Sequence, residues 1–434
     1  MDQSKVSVVI SWFFIIVIIV LIQFSVNRRI SDSSSVDYAA GMQIQMTGKY
    51  FIGVKQIAGQ NPVLKERLSK LEQGFQDNQQ KSNHLASIPI LAELSGREAA
   101  LRELELMSAD PESVADARNI PLFLELYKDG SDSLDSTQVS ALKAYGWTGR
   151  LALSQDKPDS DPERKAVLKS ALLMVIFIVM MTTVAAASLL GGITLFIIAI
   201  VQGIKGNLKS RLVTSEKHSS LLLETFSIYL VLSTVLPLIL SMILPGFRNG
   251  GILMSILAGL IALVWPLLRG TGWKAYRTSL GWNRGKGVFR EVGAGIAGYI
   301  AGLPLMLVAI IIVMILIKFS GETPTHPVVF DLSRSPFYLI LLACVYAPLV
   351  EETMFRGALY CYLRRSLPWA ASGIISGFIF AVLHPQGWVA VPTLGVIGFN
   401  LSAIREWRGS IIASITAHAL NNGSLVLILI VSLV

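Results

Sequence analysis

The sequence predicts an all-α protein, a polytopic membrane helix bundle with a small helical extramembrane domain between the first and second spans. Three observations carry that prediction. Hydrophobic residues make up 53% of the 434 and charged residues 15%, with a mean hydropathy of +0.58. A soluble domain needs a more heavily charged surface. The apolar residues recur in runs of about 18 or more, the length that crosses a hydrocarbon core. Residues 31–165 break the pattern, with 20 acidic and 15 basic residues among them.

The first apolar run, residues 8–26, has neither a small-residue cleavage site nor a strongly basic start, so residues 1–30 read as a retained membrane anchor. The polar stretch 31–165 reads as a soluble helical domain. It opens on Ser31-Asp32-Ser33-Ser34-Ser35, a flexible lead-in. Leu64, Leu68, Leu71 and Phe75 then share one helical face. Asp110-Pro111 reads as an N-cap with proline at the first helical position, and a helix restarts near Pro121. Val139, Leu142 and Tyr145 form a further stripe, closed by Gly146. Residues 154–164 are a polar linker whose Asp161-Pro162-Glu163 is placed to cap the next helix.

Eight further apolar segments follow, near 166–201, 221–244, 252–268, 292–318, 337–363, 370–384, 388–404 and 410–433. The first is too long for one upright span. It implies a kink at Gly191-Gly192, a helix that extends past the bilayer, or two short spans. Basic residues gather in four places: Lys205, Lys209, Arg211 and Lys217; Arg269, Lys274, Arg277, Arg284, Lys286 and Arg290; Arg364-Arg365; and Arg405 with Arg408. All four fall on one side of the predicted spans, which makes that side cytoplasmic and puts the soluble domain outside. Arg28-Arg29 runs against the rule, as long translocated domains allow. The basic excess is suited to membrane lipid and does not suggest nucleic acid. Cys344 and Cys361 make no disulfide framework and lack metal-ligand spacing.

Ionisable side chains inside membrane spans are costly and mark function. They concentrate near the C-terminus. Glu351-Glu352-Thr353-Met354-Phe355-Arg356 lies within one apolar segment. Glu352 and Arg356, at i and i+4, share a face and can pair, leaving Glu351 about 100° round the helix. The next segment ends on His384, where Pro385 stops the helix. The last contains His418 and Asn422, again i and i+4. A carboxylate with an imidazole can hold and deprotonate water. Further polar groups can stabilise a tetrahedral oxyanion. The set suffices to hydrolyse an amide without a serine or cysteine nucleophile.

At these residues the sequence resembles the CAAX-processing and bacteriocin-processing (CPBP, or Abi) family of intramembrane proteases, related to type 2 CAAX prenyl endopeptidases. The matching motifs are Glu-Glu-x-x-x-Arg at 351–356, Phe-x-x-x-His at 380–384 and His-x-x-x-Asn at 418–422, in family order. Arg408-Gly409-Ser410 is also similar. The resemblance covers 332–434, which becomes a CPBP-like catalytic membrane core, with 166–331 as the N-terminal part of the bundle. It implies that Glu351 and His384 activate water, that His418 and Asn422 form the oxyanion site, and that Glu352 and Arg356 support them. No cofactor is favoured, because no His-Glu-x-x-His stands in the chain. If zinc or another divalent metal were held, Glu351, His384 and His418 would be the ligands. The expected substrate is a membrane-associated peptide or protein. The extension 1–165 departs from the family pattern, and its soluble part is left as a surface for a protein partner.

The competing class is a non-enzymatic polytopic membrane protein, of transporter or bacteriocin-immunity type, using the polar cluster for ion or proton handling. Paired repeats with broken helices would mark a transporter, and none is visible. A third reading makes the soluble domain the main functional module. Among other polar residues, Glu224 is expected to reach water at its segment's end, His84 and His218 to be solvated, and His326 to be inert in an external Thr-Pro-Thr-His-Pro loop. Asn400 is expected at a helix contact. Gly295, Gly298 and Gly302 are expected where helices approach closely, and Trp273, Tyr276 and Trp282 in an interfacial aromatic belt.

Overall fold

A computed structural model of the protein describes residues 3–29, 33–59, 84–114, 116–212, 219–243, 251–321 and 336–433. The helical stripe from Leu64 to Phe75, the flexible lead-in's first residues, and His218 and His326 lie outside the described residues. The helices, in chain order, are α1 (Gln3–Arg29), α2 (Ser33–Ala58), α3 (Ile88–Ser95), α4 (Arg97–Ala109), α5 (Ile120–Asp129), α6 (Ser136–Lys143), α7 (Trp147–Ala152) and α8 (Pro162–Ile204). Then follow α9 (Ser219–Ile243), α10 (Gly251–Leu268), α11 (Trp273–Leu280), α12 (Val288–Ser320), the interrupted helix α13 (Phe337–Leu363), α14 (Trp369–Leu383), α15 (Val391–Arg408) and α16 (Ile411–Leu433). No strand occurs among the described residues. Among the described residues, seven helices are long and apolar enough to cross a membrane. The protein is a multi-pass helical membrane bundle.

The chain divides into two compact units, Met1–Ser31 with Ala186–Leu427 and Asp32–Ala185 with Ile428–Val434. In the first, the bundle unit, one core draws on α1 (Ile15, Ile18), α9 (Leu222, Phe226), α13 (Phe355, Leu359), α14 (Phe380) and α15 (Leu401, Ile404). Large apolar side chains such as Phe13, Leu190 and Met314 stay exposed, as a surface solvated by lipid chains allows. Small residues set the helix spacing. A Cβ on Gly295 would lie 2.4 Å from Ala413 O, and one on Gly398 would lie 2.6 Å from the Gly377 Cα. Asn400 Nδ2 donates to Gly298 O at 3.3 Å, the expected helix contact. Residues 162–204 form one unbroken helix of about 65 Å. It runs through Gly191-Gly192, and Gly192 serves close packing, since a Cβ there would meet Ile300 O at 2.4 Å.

Two expectations fail in this unit. Glu224 does not reach water: it is buried, takes a hydrogen bond from Trp265 Nε1 at 2.7 Å and lies 3.7 Å from Arg269. The α9–α10 contact covers the end of its segment. Trp273 and Trp282 are exposed, but Tyr276 is buried in the core, on the face that α11 turns inward. Several basic residues counted for sidedness also have structural partners. Arg408 makes two bonds to buried Glu291, at 2.6 and 2.8 Å. Arg364 does the same to Glu406, at 2.9 and 3.0 Å. Fully buried Arg405 donates to Ser279 O at 3.1 Å, a carbonyl in the last turn of α11 that the helix leaves without a partner.

The intervening unit has two apolar clusters, one around Leu104, Phe123 and Leu142 and one around Ile52, Trp147 and Ala171. Gly53 admits the Ala171 carbonyl, 2.3 Å from where a Cβ would sit. Pro121 opens α5, and Asp161 Oδ1 caps α8 by accepting from Glu163 N and Arg164 N at 2.8 and 3.1 Å. The stripe at Val139 and Leu142 lies on α6, which starts with a capping box from Asp135 and Gln138. Asp110 makes no side-chain cap, and only a single 3₁₀ turn, Pro111–Ser113, follows it. His84 is half-buried and accepts from Ala86 N at 3.2 Å through Nδ1, so it is a capping residue rather than a solvated one.

Candidate active site

Helix α13 carries the two adjacent glutamates and is not a regular α-helix. Leu341–Tyr346 and Glu352–Leu359 are π-helical, with a short α segment, Ala347–Glu351, between them. Such wide turns are frequent at functional sites. Arg356 Nη1 donates to Glu352 Oε1 at 2.8 Å, both side chains being fully buried. Arg356 Nη2 donates to Gly398 O at 3.1 Å, and its guanidinium lies 4.7 Å from the Phe380 ring centroid. The expected pairing of Glu352 with Arg356 is therefore present. The glycine contact between α14 and α15 is what lets the arginine reach that carbonyl.

His418, from α16, completes the buried floor. Its Nδ1 lies 2.9 Å from Glu352 Oε1, which fixes a proton on Nδ1 against the carboxylate and turns Nε2 toward Glu351. His384, just past α14, is fixed in the same sense. Its Nδ1 donates to Phe380 O at 2.6 Å. A carbonyl only accepts, so the neutral ring keeps its lone pair on Nε2. The two Nε2 atoms stand 3.9 Å (His384) and 3.8 Å (His418) from Glu351 Oε2. That oxygen is buried without a hydrogen-bond partner.

The carboxylates differ in access. The Glu351 side chain is 24% exposed and that of His384 21%, whereas Glu352 is at 0% and His418 at 3%. Of these four, Glu351 and His384 present the most surface to an incoming group. At 3.8–3.9 Å the three side chains are beyond direct hydrogen bonding. Among the described residues, no group of three His, Cys, Asp or Glu side chains is disposed to hold a metal ion.

Four of the predicted site residues, Glu351, Glu352, His384 and His418, thus converge, with Arg356 behind them. Asn422 engages a different group: its Nδ2 donates to Ala343 O at 2.9 Å, in the first π-helical segment, and its Oδ1 accepts from Asn421 at 3.3 Å. Several neighbours were not anticipated. The phenols of Tyr229 and Tyr346 lie within electrostatic reach of Glu351. Tyr346 closes the first π-helical stretch, five residues before Glu351. Gly398 and Phe380 shape the arginine's pocket. Phe380 was visible only as a motif letter.

Residues 333–424 match a family model described as Type II CAAX prenyl endopeptidase Rce1-like. The match takes in all the motif residues from Glu351 to Asn422. The chain thus carries an Rce1-like domain, consistent with a CPBP family intramembrane protease and, in general terms, with CAAX-type proteolysis in the membrane. No curated protein and no solved structure matches the chain.

Proposed function

We propose that the protein is an endopeptidase that hydrolyses a membrane-associated peptide or protein with water activated by Glu351 and His384. The supporting observation is the convergence of the His384 and His418 Nε2 atoms on Glu351 Oε2, at 3.9 and 3.8 Å, in a polar cluster where the Glu351 and His384 side chains keep partial exposure. A water between Glu351 and His384 has an acceptor for each proton, which turns its lone pair outward. Glu351 takes one proton as the oxygen attacks the scissile carbonyl. The C–O bond forms, and the carbonyl π electrons move onto oxygen.

The oxyanion then needs donors. Protonated on both nitrogens, His418 donates from Nε2, with Glu352 balancing its charge through Nδ1. The amide of Asn422 has two N–H groups. One is given to Ala343 O, and the other is assigned to the oxyanion. Collapse of the intermediate breaks the C–N bond, and Glu351 passes its proton to the leaving amine. Glu352 and Arg356 hold this array and exchange no proton. No step uses a metal.

The family description favours a peptide with a prenylated C-terminal motif as substrate. The soluble part of the chain is assigned to the extracytoplasmic side by the basic-loop pattern, as a surface for a protein partner. Purified protein in detergent is to be given a quenched fluorogenic CAAX peptide, with and without a farnesyl group, in the presence and absence of EDTA. Turnover is expected, faster on the farnesylated peptide and unchanged by EDTA. No turnover on either peptide, with proton flux in proteoliposomes, would replace this reading with the transporter one.

A further inference from the structure

The helix end that presents His384 has lost its ordinary hydrogen bonds. In α14 the carbonyls of the last turn would be served by N–H groups four residues on. Pro385 has none. His384 N donates instead to Ala381 O at 3.2 Å, and Gln386 N turns back to His384 O at 2.9 Å. Phe380 O and Val382 O are left over. Phe380 O receives the His384 ring itself, through Nδ1 at 2.6 Å. Val382 O receives the Gln23 side chain, Nε2 donating at 2.5 Å.

Gln23 belongs to α1, the N-terminal span, which lies outside the 333–424 family match. This span is firmly seated. Ser11, Ile15 and Ile18 are buried, and the Trp12 ring meets Tyr362 of α13 at a tilt, with centroids 6.2 Å apart. In a lipid environment a carbonyl without a partner is strongly unfavourable, so the last turn would rearrange to find one. The His384 ring is a donor within that turn. Were it drawn to Val382 O, it would leave Phe380 O and lose the orientation that aims Nε2 at Glu351.

We propose that the first span is part of the active-site scaffold, and that Gln23 is a positioning residue which completes the cap of α14 and so fixes the tautomer and direction of His384. The role assigned to His384 rests on the protease reading; the contact itself does not.

The test compares Gln23→Met, which keeps shape and loses the donor, Gln23→Asn, whose amide is one methylene short, and Gln23→Lys, which restores a reaching donor. In the full-length protein, Met and Asn are expected to lower kcat by roughly 10- to 100-fold with KM unchanged. The His384-dependent limb of the pH–rate profile should broaden or shift, and Lys should recover most of the loss. In parallel, ¹⁵N-histidine NMR of the purified protein, with His384 assigned through His384→Gln, reads the ring without any need for proteolysis. Wild type should show a single Nδ1-protonated form, and Gln23→Met an averaged tautomer. Active wild type with unchanged kcat, pH profile and tautomer in Met and Asn overturns the inference. A tautomer change in a protein without peptidase activity would leave the positioning intact and sink only the protease reading. If Gln23→Met does not fold, Gln23→Asn carries both readouts.

Discussion

His418 Nδ1 and Glu352 Oε1 lie 2.9 Å apart, and the same carboxylate oxygen takes Arg356 Nη1 at 2.8 Å. One fully buried acid thus joins three helices, two through its neighbours and one through its own backbone. Removing one partner of a buried pair leaves an uncompensated charge, typically about 3–5 kcal/mol. Arg356→Met should therefore destabilise the bundle on that scale, measured as denaturant or thermal unfolding in detergent. Glu351→Gln, whose acid has no comparable partner, should leave the melt within about 0.5 kcal/mol. Equal losses for the two would show that the adjacent carboxylates are not divided into one structural and one reactive group.

The contact between α14 and α15 makes a second prediction. A methyl added at Gly398 would sit 2.6 Å from the Gly377 Cα and 3.4 Å from Arg356 Nη2. Backbone cannot yield as a side chain can, so the helices must separate. Overpacking of this kind costs about 1–3 kcal/mol. Gly398→Ala should lower the melting temperature and also reduce turnover, because Arg356 loses its carbonyl. Gly191→Ala, where nothing lies within 4 Å, serves as the control and should change neither.

A third prediction concerns Lys49 of the intervening unit, buried beside Trp147. Burial, reinforced by the charge of Arg150, pushes its ammonium down to about 8. In an unfolded chain a lysine titrates near 10.4. Below about pH 8 both states are protonated and the full penalty of the buried charge is present. Between about pH 8 and 10 the unfolded chain holds a proton that the folded one has released, so stability rises with pH. Across about pH 7.5 to 9.5 the wild type should gain roughly 2 kcal/mol. Lys49→Met should remove that rise, read by thermal unfolding at fixed ionic strength. Above about pH 10 buried Tyr127, its phenol raised by burial, opposes the trend by staying neutral in the folded chain alone.

Much of this architecture was legible in the sequence because the bilayer is a strict solvent. Length and hydropathy locate α9, α10 and α12 through α16 to within a few residues, since a lipid-exposed span has little freedom in where it ends. The pairing of Glu352 with Arg356 was legible for the same reason: two such groups on one face of an apolar helix must find each other. Other features depended on tertiary contacts. Glu224 sits at a segment end where water is the natural expectation, and only the arrival of Trp265 from α10 removes it. Tyr276 and Trp273 are three residues apart on α11, yet one is buried and one exposed; a single short amphipathic helix does not announce which face turns inward. The π-helical turns of α13 have no composition signal, and Gln23 reads as an ordinary polar residue near the end of an apolar run until Val382 is found beside it.

The most direct measurement of the central claim is the turnover of purified Glu351→Gln against wild type on one cleavable peptide, with unfolding followed on the same samples. Glutamine keeps the shape and cannot take the water's proton. The expected result is a fall in kcat of about 10²–10⁴-fold with an unchanged melt. Turnover within a few-fold of wild type in a folded Glu351→Gln protein would contradict the assignment of Glu351 as the base.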